Sequence, residues 1–411
     1  MRNAGWLFAG QGLSFLVQAL YFVVLARLLG TRQYGVLAGA IALVAVVSQY
    51  STLGSGLLFL RYVSPDHSRF RLYWGNILSS VFLMGGVIVI GLGLCGRWLL
   101  GSESLPILVP LAVSDCLFQQ LNSCAAQVFQ TFEKMKFSAT LTLLSNLLRL
   151  ILAVIMLLHL GSASALQWAL ASLAVSFLAS IVAFVTVTRY FGLPSFSLSL
   201  FYRRIGEGIV FAISGSTTAA YNDIDKVVLS HYGMNQANGI YSMAYRAVNI
   251  GTMPIMSVVG AAFPRFFREG VKGVAATYPM AKVLLKRTAI LGLGIACMMF
   301  ISAPLIPHLV GRPYAEAVDA LRWLCLIPFF RCFHLSAGDA IAGSGHQRYR
   351  LASQSVAAIG NLLLNLYLVP RYSWHGAAWA SLATDGALGI MNWLALAQLR
   401  RRTAPVYCQA A

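Results

Sequence analysis

Apolar runs of about twenty residues recur along almost the whole of this chain, each long enough to cross roughly 30 Å of hydrocarbon. Inside a bilayer no water satisfies the backbone, so only helices and closed barrels can span it. A barrel would show short alternating segments, which this chain does not have. The expected fold class is therefore all-α, a polytopic membrane protein. Composition agrees: of 411 residues 58% are hydrophobic and 10% charged, with mean hydropathy +0.73. Soluble domains carry about 25% charged residues. The N-terminal stretch MRNAGWLFAGQGLSF has one early Arg and no small-residue cleavage site after a short apolar core. It is expected to be a retained first helix.

About twelve spans are predicted, near 6–28, 35–60, 74–97, 105–131, 138–159, 165–189, 208–230, 238–262, 286–308, 315–342, 351–369 and 375–398. Lys and Arg set the orientation. With the N-terminus in the cytoplasm, about twenty of the 30 basic residues fall inside and about five (Arg27, Arg32, Arg97, Arg312, Arg371) outside. An even span count with both termini cytoplasmic follows. The same rule accounts for the net charge of +18. Nucleic acid is not an expected partner, because the cations are spread over many loops. The longest loop, about 264–286, is basic and semi-amphipathic and is expected at the anionic inner leaflet or as a plain connection.

The chain repeats itself. ARLLGTRQYGVLAGAIALV (Ala26 to Val44) and LSHYGMNQANGIYSMAYRAV (Leu229 to Val248) share a plan. A helix ends at a Gly (Gly30, Gly233), a polar turn follows, and a second Gly (Gly35, Gly239) opens the next helix. QTFEKMKFSATLTLLSNLL (Gln130 to Leu148) parallels SGHQRYRLASQSVAAIGNLLLN (Ser344 to Asn365), and ALQWALASLA (from Ala165) parallels HGAAWASLA (from His375). The offset stays at about 205–215 residues, as for a duplicated transporter half. Two pseudo-symmetric six-helix lobes around a central cavity are expected, at 1–190 and 207–400. A cytoplasmic linker at 191–206 joins them and a cytoplasmic tail at 401–411 ends the chain.

Several spans carry polar residues at helical spacing. They include Gln11, Ser14 and Gln18; Asp115, Gln119 and Asn122; Ser145 and Arg149; Ser242, Arg246 and Asn249; Asn361 and Asn365; Ser381 and Asp385. Such stripes are either helix–helix glue or the lining of a wet path. Gln11, Gln18, Gln119, Asn122, Asn249 and Asn361 are the candidate lining. Arg149, Arg246 and Arg331 sit at mid-span depth. A guanidinium stays charged and its fork matches phosphate, so these three, with Lys226, are candidates for an anionic substrate such as a diphosphate. The alternative is pairing with carboxylates. Asp115, Asp223, Asp225 and Asp385 could carry a coupling proton or only neutralise neighbours. Asp223 and Lys226, three apart, are placed to pair, with Asp225 pointing elsewhere.

Neither GxxxxGK[ST] nor HExxH occurs. The seven Cys have no CxxC spacing, and His308, His334 and His346 have no ligand spacing. No metal, cofactor or catalytic residue is expected.

ARLLGTRQYGVL, DIDKVVLSHYGMNQANGIYSMAYRAV and GNLLLNLYLVPRYSWHGAAWASLATD resemble the polysaccharide-transporter branch of the multidrug/oligosaccharidyl-lipid/polysaccharide exporter superfamily. The resemblance runs from Asn3 to about Arg400. It implies a flippase for undecaprenyl-diphosphate-linked oligosaccharide repeats in the bacterial inner membrane, serving lipopolysaccharide O-antigen, capsule or exopolysaccharide. It also implies alternating access, usually ion-gradient coupling, no ATPase domain and no enzyme activity. The implied partners are the polyprenyl-diphosphate-linked oligosaccharide, membrane lipids and other polysaccharide-assembly proteins. The family's cationic cavity would fall on Arg149, Arg246 and Arg331, matched by depth. The alternatives are a cation-coupled small-molecule or drug exporter of the same superfamily, and a membrane-embedded glycan polymerase or ligase. The latter would need a sizeable outer loop, which is not apparent.

Overall fold

The computed structural model describes residues 2–403, with side chains from Gly12 to Arg402. The side chain of Gln11 and residues 404–411 of the tail lie outside what is described. Among the described residues there is no strand. The helices are α1 (Arg2–Ser48), α2 (Ser55–Val63), α3 (Phe70–Leu99), α4 (Leu105–Ala112), α5 (Gln120–Thr131), α6 (Met135–Leu160), α7 (Ala165–Phe191) and α8 (Leu198–His231). They continue with α9 (Asn235–Gly270), α10 (Val274–Ser302), α11 (Ile306–Val310), α12 (Ala317–Leu324), α13 (Ile327–Gly343), α14 (Gln347–Tyr372) and α15 (Trp374–Thr403).

Nine stretches of the described residues are long and apolar enough to span a membrane. The first, Gly12–Ser48, is two helices, because Gly30 interrupts α1 with φ 66 and ψ 175. The α8 and α15 helices, 34 and 30 residues long, are outside the nine. Both are long enough to cross, since about twenty residues suffice, and counting them and the α1 break recovers the expected twelve. Side chains such as Leu158 and Ile301, each 78% exposed, and Trp98, 72% exposed, form an outer surface suited to lipid rather than water.

Two of the expected runs differ in their bounds and a third in its internal geometry. The run 35–60 is not one span. Its helix ends at Ser48, and Leu53 (φ 45) and Gly54 (φ 62) turn the chain before α2 begins. The run 105–131 is continuous but contains a π-helical segment, Val113–Gln119, that carries Asp115. Such insertions re-aim side chains inside a helix. The expected loop 264–286 is a helical hairpin. The α9 helix runs on to Gly270, α10 begins at Val274, and Gly273 (φ 88) makes the turn. Hydropathy falls where Arg265, Arg268 and Lys282 appear, but the helices do not stop there. At 36 and 29 residues they reach about 54 and 44 Å, more than the hydrocarbon thickness.

The chain divides into two compact units, Met1–Gly239 and Ile240–Ala411. The boundary between these units lies early in α9. In the first unit α1 packs on both α6 and α8. The start of α8 is held to α2: Arg204 donates to the Tyr62 hydroxyl at 2.8 Å and to Glu207 at 2.6 Å. Gly208 sits so close to Leu53 that a Cβ there would lie 2.0 Å from its carbonyl oxygen. With its packing on α1, this tie holds α8 to the N-terminal helices. An aromatic core around Phe59, Trp74 and Phe129 fills the bundle interior. In the second unit α13 packs on α10 and α15, and α14 on α15.

Candidate functional site

In the first unit the repeated glycines meet. Gly30 and Gly233 both take left-handed φ, at 66° and 69°. Each ends its helix where an L side chain would be strained. Beyond the turns, a Cβ on Gly35 would lie 1.7 Å from the Asn235 carbonyl oxygen, and one on Gly239 would lie 1.9 Å from that of Thr31. Buried Asn238 donates through Nδ2 to the carbonyls of Gly35 and Lys226, both at 3.0 Å. The Ser230 carbonyl at the end of α8 accepts from the Gly233 amide at 3.0 Å and from the Gly101 amide at 3.1 Å, and the Ser230 hydroxyl meets Ser104 at 3.0 Å. Glu103 bonds Arg32 and accepts from Asn235 at 3.2 Å.

Lys226 lies beneath this junction, with its side chain 7% exposed. Its Nζ donates to Asp223 at 2.5 Å and to the Asn222 carbonyl at 3.1 Å. Asp225, 1% exposed, lies 3.6 Å from the same nitrogen. The expected Asp223 pairing is present, but Asp225 does not point elsewhere. Its carboxylate folds back to the Lys226 amide at 2.7 Å, which carries it to the cation. A buried ammonium is stable only with such compensation.

Arg149 on α6 donates to Asp115 at 3.3 Å and to Ser176 on α7 at 3.0 Å. Ser114 donates to Ser176 at 3.0 Å, completing a four-residue cluster around the π-helical segment. Both charged side chains keep about a quarter of their surface, 23% and 25%. Gln18 and Gln119 are half-buried on α1 and at the end of the π segment. Asn122 is a correction to the expected lining. It is buried and donates to Ser145 at 2.6 Å, tying α5 to α6. Asn361 is another: buried in α14, it accepts from Asn365 at 2.7 Å. Each amide is engaged by a neighbouring protein group and shut off from water in this structure, although the Asn122 Oδ1 has no partner among the described residues.

In the second unit Arg331 on α13 faces α9. Its Nη2 donates to the Tyr245 hydroxyl at 3.0 Å and its Nη1 to the Asn249 Oδ1 at 3.3 Å. Arg246 is half-buried on α9, on the face shared by Ser242 and Asn249. Asp385 on α15, 3% exposed, lies 3.6 Å from His334 Nε2. Asn249 and Arg331 are thus brought together, as are Arg149 and Asp115, and Lys226, Asp223 and Asp225.

Sequence reasoning missed three participants. Tyr245, three after Ser242 and four before Asn249, shares the face of the polar stripe but was passed over as an aromatic. His334 follows Arg331 by three, the spacing of one helix face. Arg350, in the first turn of α14, reaches Asp339 at 3.0 Å across the α13–α14 turn. Among the described residues no group of three His, Cys, Asp or Glu could hold a metal.

A family model described as polysaccharide biosynthesis protein matches residues 1–269. The chain is 24% identical over 403 residues to the succinoglycan biosynthesis transport protein ExoT of Rhizobium meliloti, covering 91% of this chain and 79% of that one. It is 20% identical over 404 residues to an uncharacterized membrane protein of Methanocaldococcus jannaschii, covering 93% and 94%. Among solved structures, the inward-facing conformation of a multidrug resistance MATE family transporter of the MOP superfamily superposes with TM-score 0.71 at 15% identity, over 97% of this chain and 100% of that one. Lipid II flippase MurJ, in an inward closed conformation, superposes with TM-score 0.72 at 13% identity, over 95% and 87%. The chain thus has the fold of these transporters, and with a model matched over residues 1–269 it belongs to the polysaccharide biosynthesis protein family.

Proposed function

We propose that this protein is a flippase that moves undecaprenyl-diphosphate-linked oligosaccharide repeats across the bacterial inner membrane, for O-antigen, capsule or exopolysaccharide assembly. The observation that carries this reading is the half-buried state of Arg149, Arg246 and Arg331 at mid-span depth, within a polysaccharide biosynthesis family. Cations that are costly in lipid yet not sealed off suit an anion that enters and leaves. Arg forks match the oxygens of a diphosphate. Lys226 is not among the residues proposed for the diphosphate, because two carboxylates already enclose it. The names of ExoT and MurJ, a transport protein and a lipid flippase, support the same direction. The chain would work by alternating access between lobes 1–190 and 207–400, with both termini cytoplasmic and no enzymatic step.

A liposome assay tests this. Purified protein is reconstituted with a labelled polyprenyl-diphosphate oligosaccharide, and an impermeant glycosidase reports its arrival in the outer leaflet. Protein-dependent acceleration, inhibited by a diphosphate analogue, is the expected result. No acceleration by folded protein with its native glycan, with or without a proton or sodium gradient, would overturn the reading. The second reading, a cation-coupled exporter of small molecules, draws on the buried Asp385 beside His334. It would then be supported by gradient-dependent dye export.

A further inference from the structure

The α9–α10 hairpin carries Arg265, Arg268, Lys272, Lys282, Lys286 and Arg287 against one carboxylate, Glu269. Lys272 takes that carboxylate at 2.7 Å. Between the two helices runs a groove of about 540 Å³. Its walls are apolar, built from side chains such as Val258, Phe266, Met280 and Leu284, and Arg265 and Arg287 are the charged residues lining it. Ala261 and Ala262 on α9 leave the width for it. Among the described residues no carboxylate lies within ion-pair distance of either guanidinium.

Position along the hairpin narrows the occupant. Arg265 lies five residues before Gly270 and Pro279 five after Val274, so these two are level near the turn. Val258 and Arg287 lie deeper, by about 10–12 Å at the helical rise. The groove therefore runs along the hairpin with a cation on each wall. Val283 on its wall and Ile290, on the same face of α10 beyond Arg287, are 53% and 68% exposed, which continues the apolar surface toward the membrane. A soluble phosphate would use the arginines and waste the walls. A neutral lipid would use the walls and leave two cations without a partner.

We propose that this groove binds one anionic glycerophospholipid of the surrounding leaflet, with its phosphate held between Arg265 and Arg287 and an acyl chain running past Val258 toward Ile290. The site is independent of what the protein transports. It converts a diffuse basic segment into a defined lipid contact that anchors the hairpin.

The test is native mass spectrometry of the detergent-purified protein titrated with phosphatidylglycerol or with phosphatidylcholine of the same acyl chains. Wild type should retain one phosphatidylglycerol in preference to phosphatidylcholine. Arg265→Ala/Arg287→Ala should lower that affinity roughly tenfold, as expected for two cations near a phosphate. Both side chains are exposed, so folding should survive their loss. Ala262→Trp, which fills the groove but keeps the charge, should also abolish retention. Arg268→Ala/Lys272→Ala, with the same charge removed outside the groove, should retain the lipid. The proposal is overturned if that control pair loses as much as the groove pair, if the two lipids bind alike, or if inorganic phosphate displaces the lipid.

Discussion

Gly35 and Gly239, the second glycines of the two repeats, lie against each other. A Cβ on Gly35 would come within 2.6 Å of the Gly239 amide nitrogen, and one on Gly239 within 3.2 Å of the Gly35 nitrogen. The nearest obstacles are backbone carbonyls, of Asn235 and Thr31, which cannot rotate aside as a side chain can. The duplicated motif therefore meets its own copy.

Gly35→Ala and Gly239→Ala should each destabilise the protein by roughly 1–3 kcal/mol, the usual cost of forcing a methyl into a packed contact. Thermal unfolding in detergent would read this as a lowered midpoint. Gly12→Ala, where nothing lies within 4 Å, is the control and should not lower the midpoint, since a helical Gly→Ala change without a clash is neutral or stabilising. Wild-type midpoints for the first two variants would show that the helices can separate there at no cost.

Lys226 and Asp225 form a pair whose loss is asymmetric. Lys226→Met should cost about 3–5 kcal/mol, because it strands a buried carboxylate. Asp225 is 1% exposed, whereas Asp223 at 33% can turn to water. Adding Asp225→Asn to Lys226→Met should therefore recover much of the stability, and adding Asp223→Asn should recover little. Equal recovery by both would mean that the charges are not distinguished by depth. A chaotrope or heat titration of the four proteins in one detergent suffices.

Much of this fold was legible because lipid leaves so few choices. Each apolar run had to be helical, and the two glycine turns had to break it where Gly30 and Gly233 do. What was not legible lies at the level of single side chains. A helical wheel places Asp225 away from Lys226, but it does not foresee a carboxylate that folds back along its own helix. Asn122 and Asn361 have the spacing of a wet stripe, and spacing alone does not say whether a neighbouring helix covers them. The hairpin at 270–274 was hidden because hydropathy reports where lipid ends, whereas helix ends are set by turns such as the one at Gly273.

Arg350 and Asp339 join the last residues of α13 to the first turn of α14, 3.0 Å apart, with Asp339 at 5% exposure. A double-mutant cycle with Arg350→Gln and Asp339→Asn should give a coupling of about 0.5–3 kcal/mol, as for contacting charges. Arg348→Gln, two residues earlier and fully on the exposed side, should show no coupling with Asp339→Asn. Additive effects for the Arg350 pair would reduce their contact to a coincidence of position.

Arg149 and Arg331 are both half-buried but differ in company, and that difference predicts different phenotypes. Arg149 is engaged by Asp115, so Arg149→Gln should lose stability as well as transport, and Asp115→Asn should restore part of the stability. Arg331 donates to Tyr245 and Asn249, neutral groups that tolerate its removal more easily. Arg331→Ala should thus leave the melting midpoint close to wild type while flipping in the liposome assay falls at least tenfold, about the loss expected for one charge-assisted contact of 1.5–3 kcal/mol. Arg331→Lys should rescue only in part, because an ammonium is a point charge and cannot present the two-pronged guanidinium face. Flipping at the wild-type rate in Arg331→Ala would remove this residue from the substrate path, and a collapsed midpoint would assign it to structure instead.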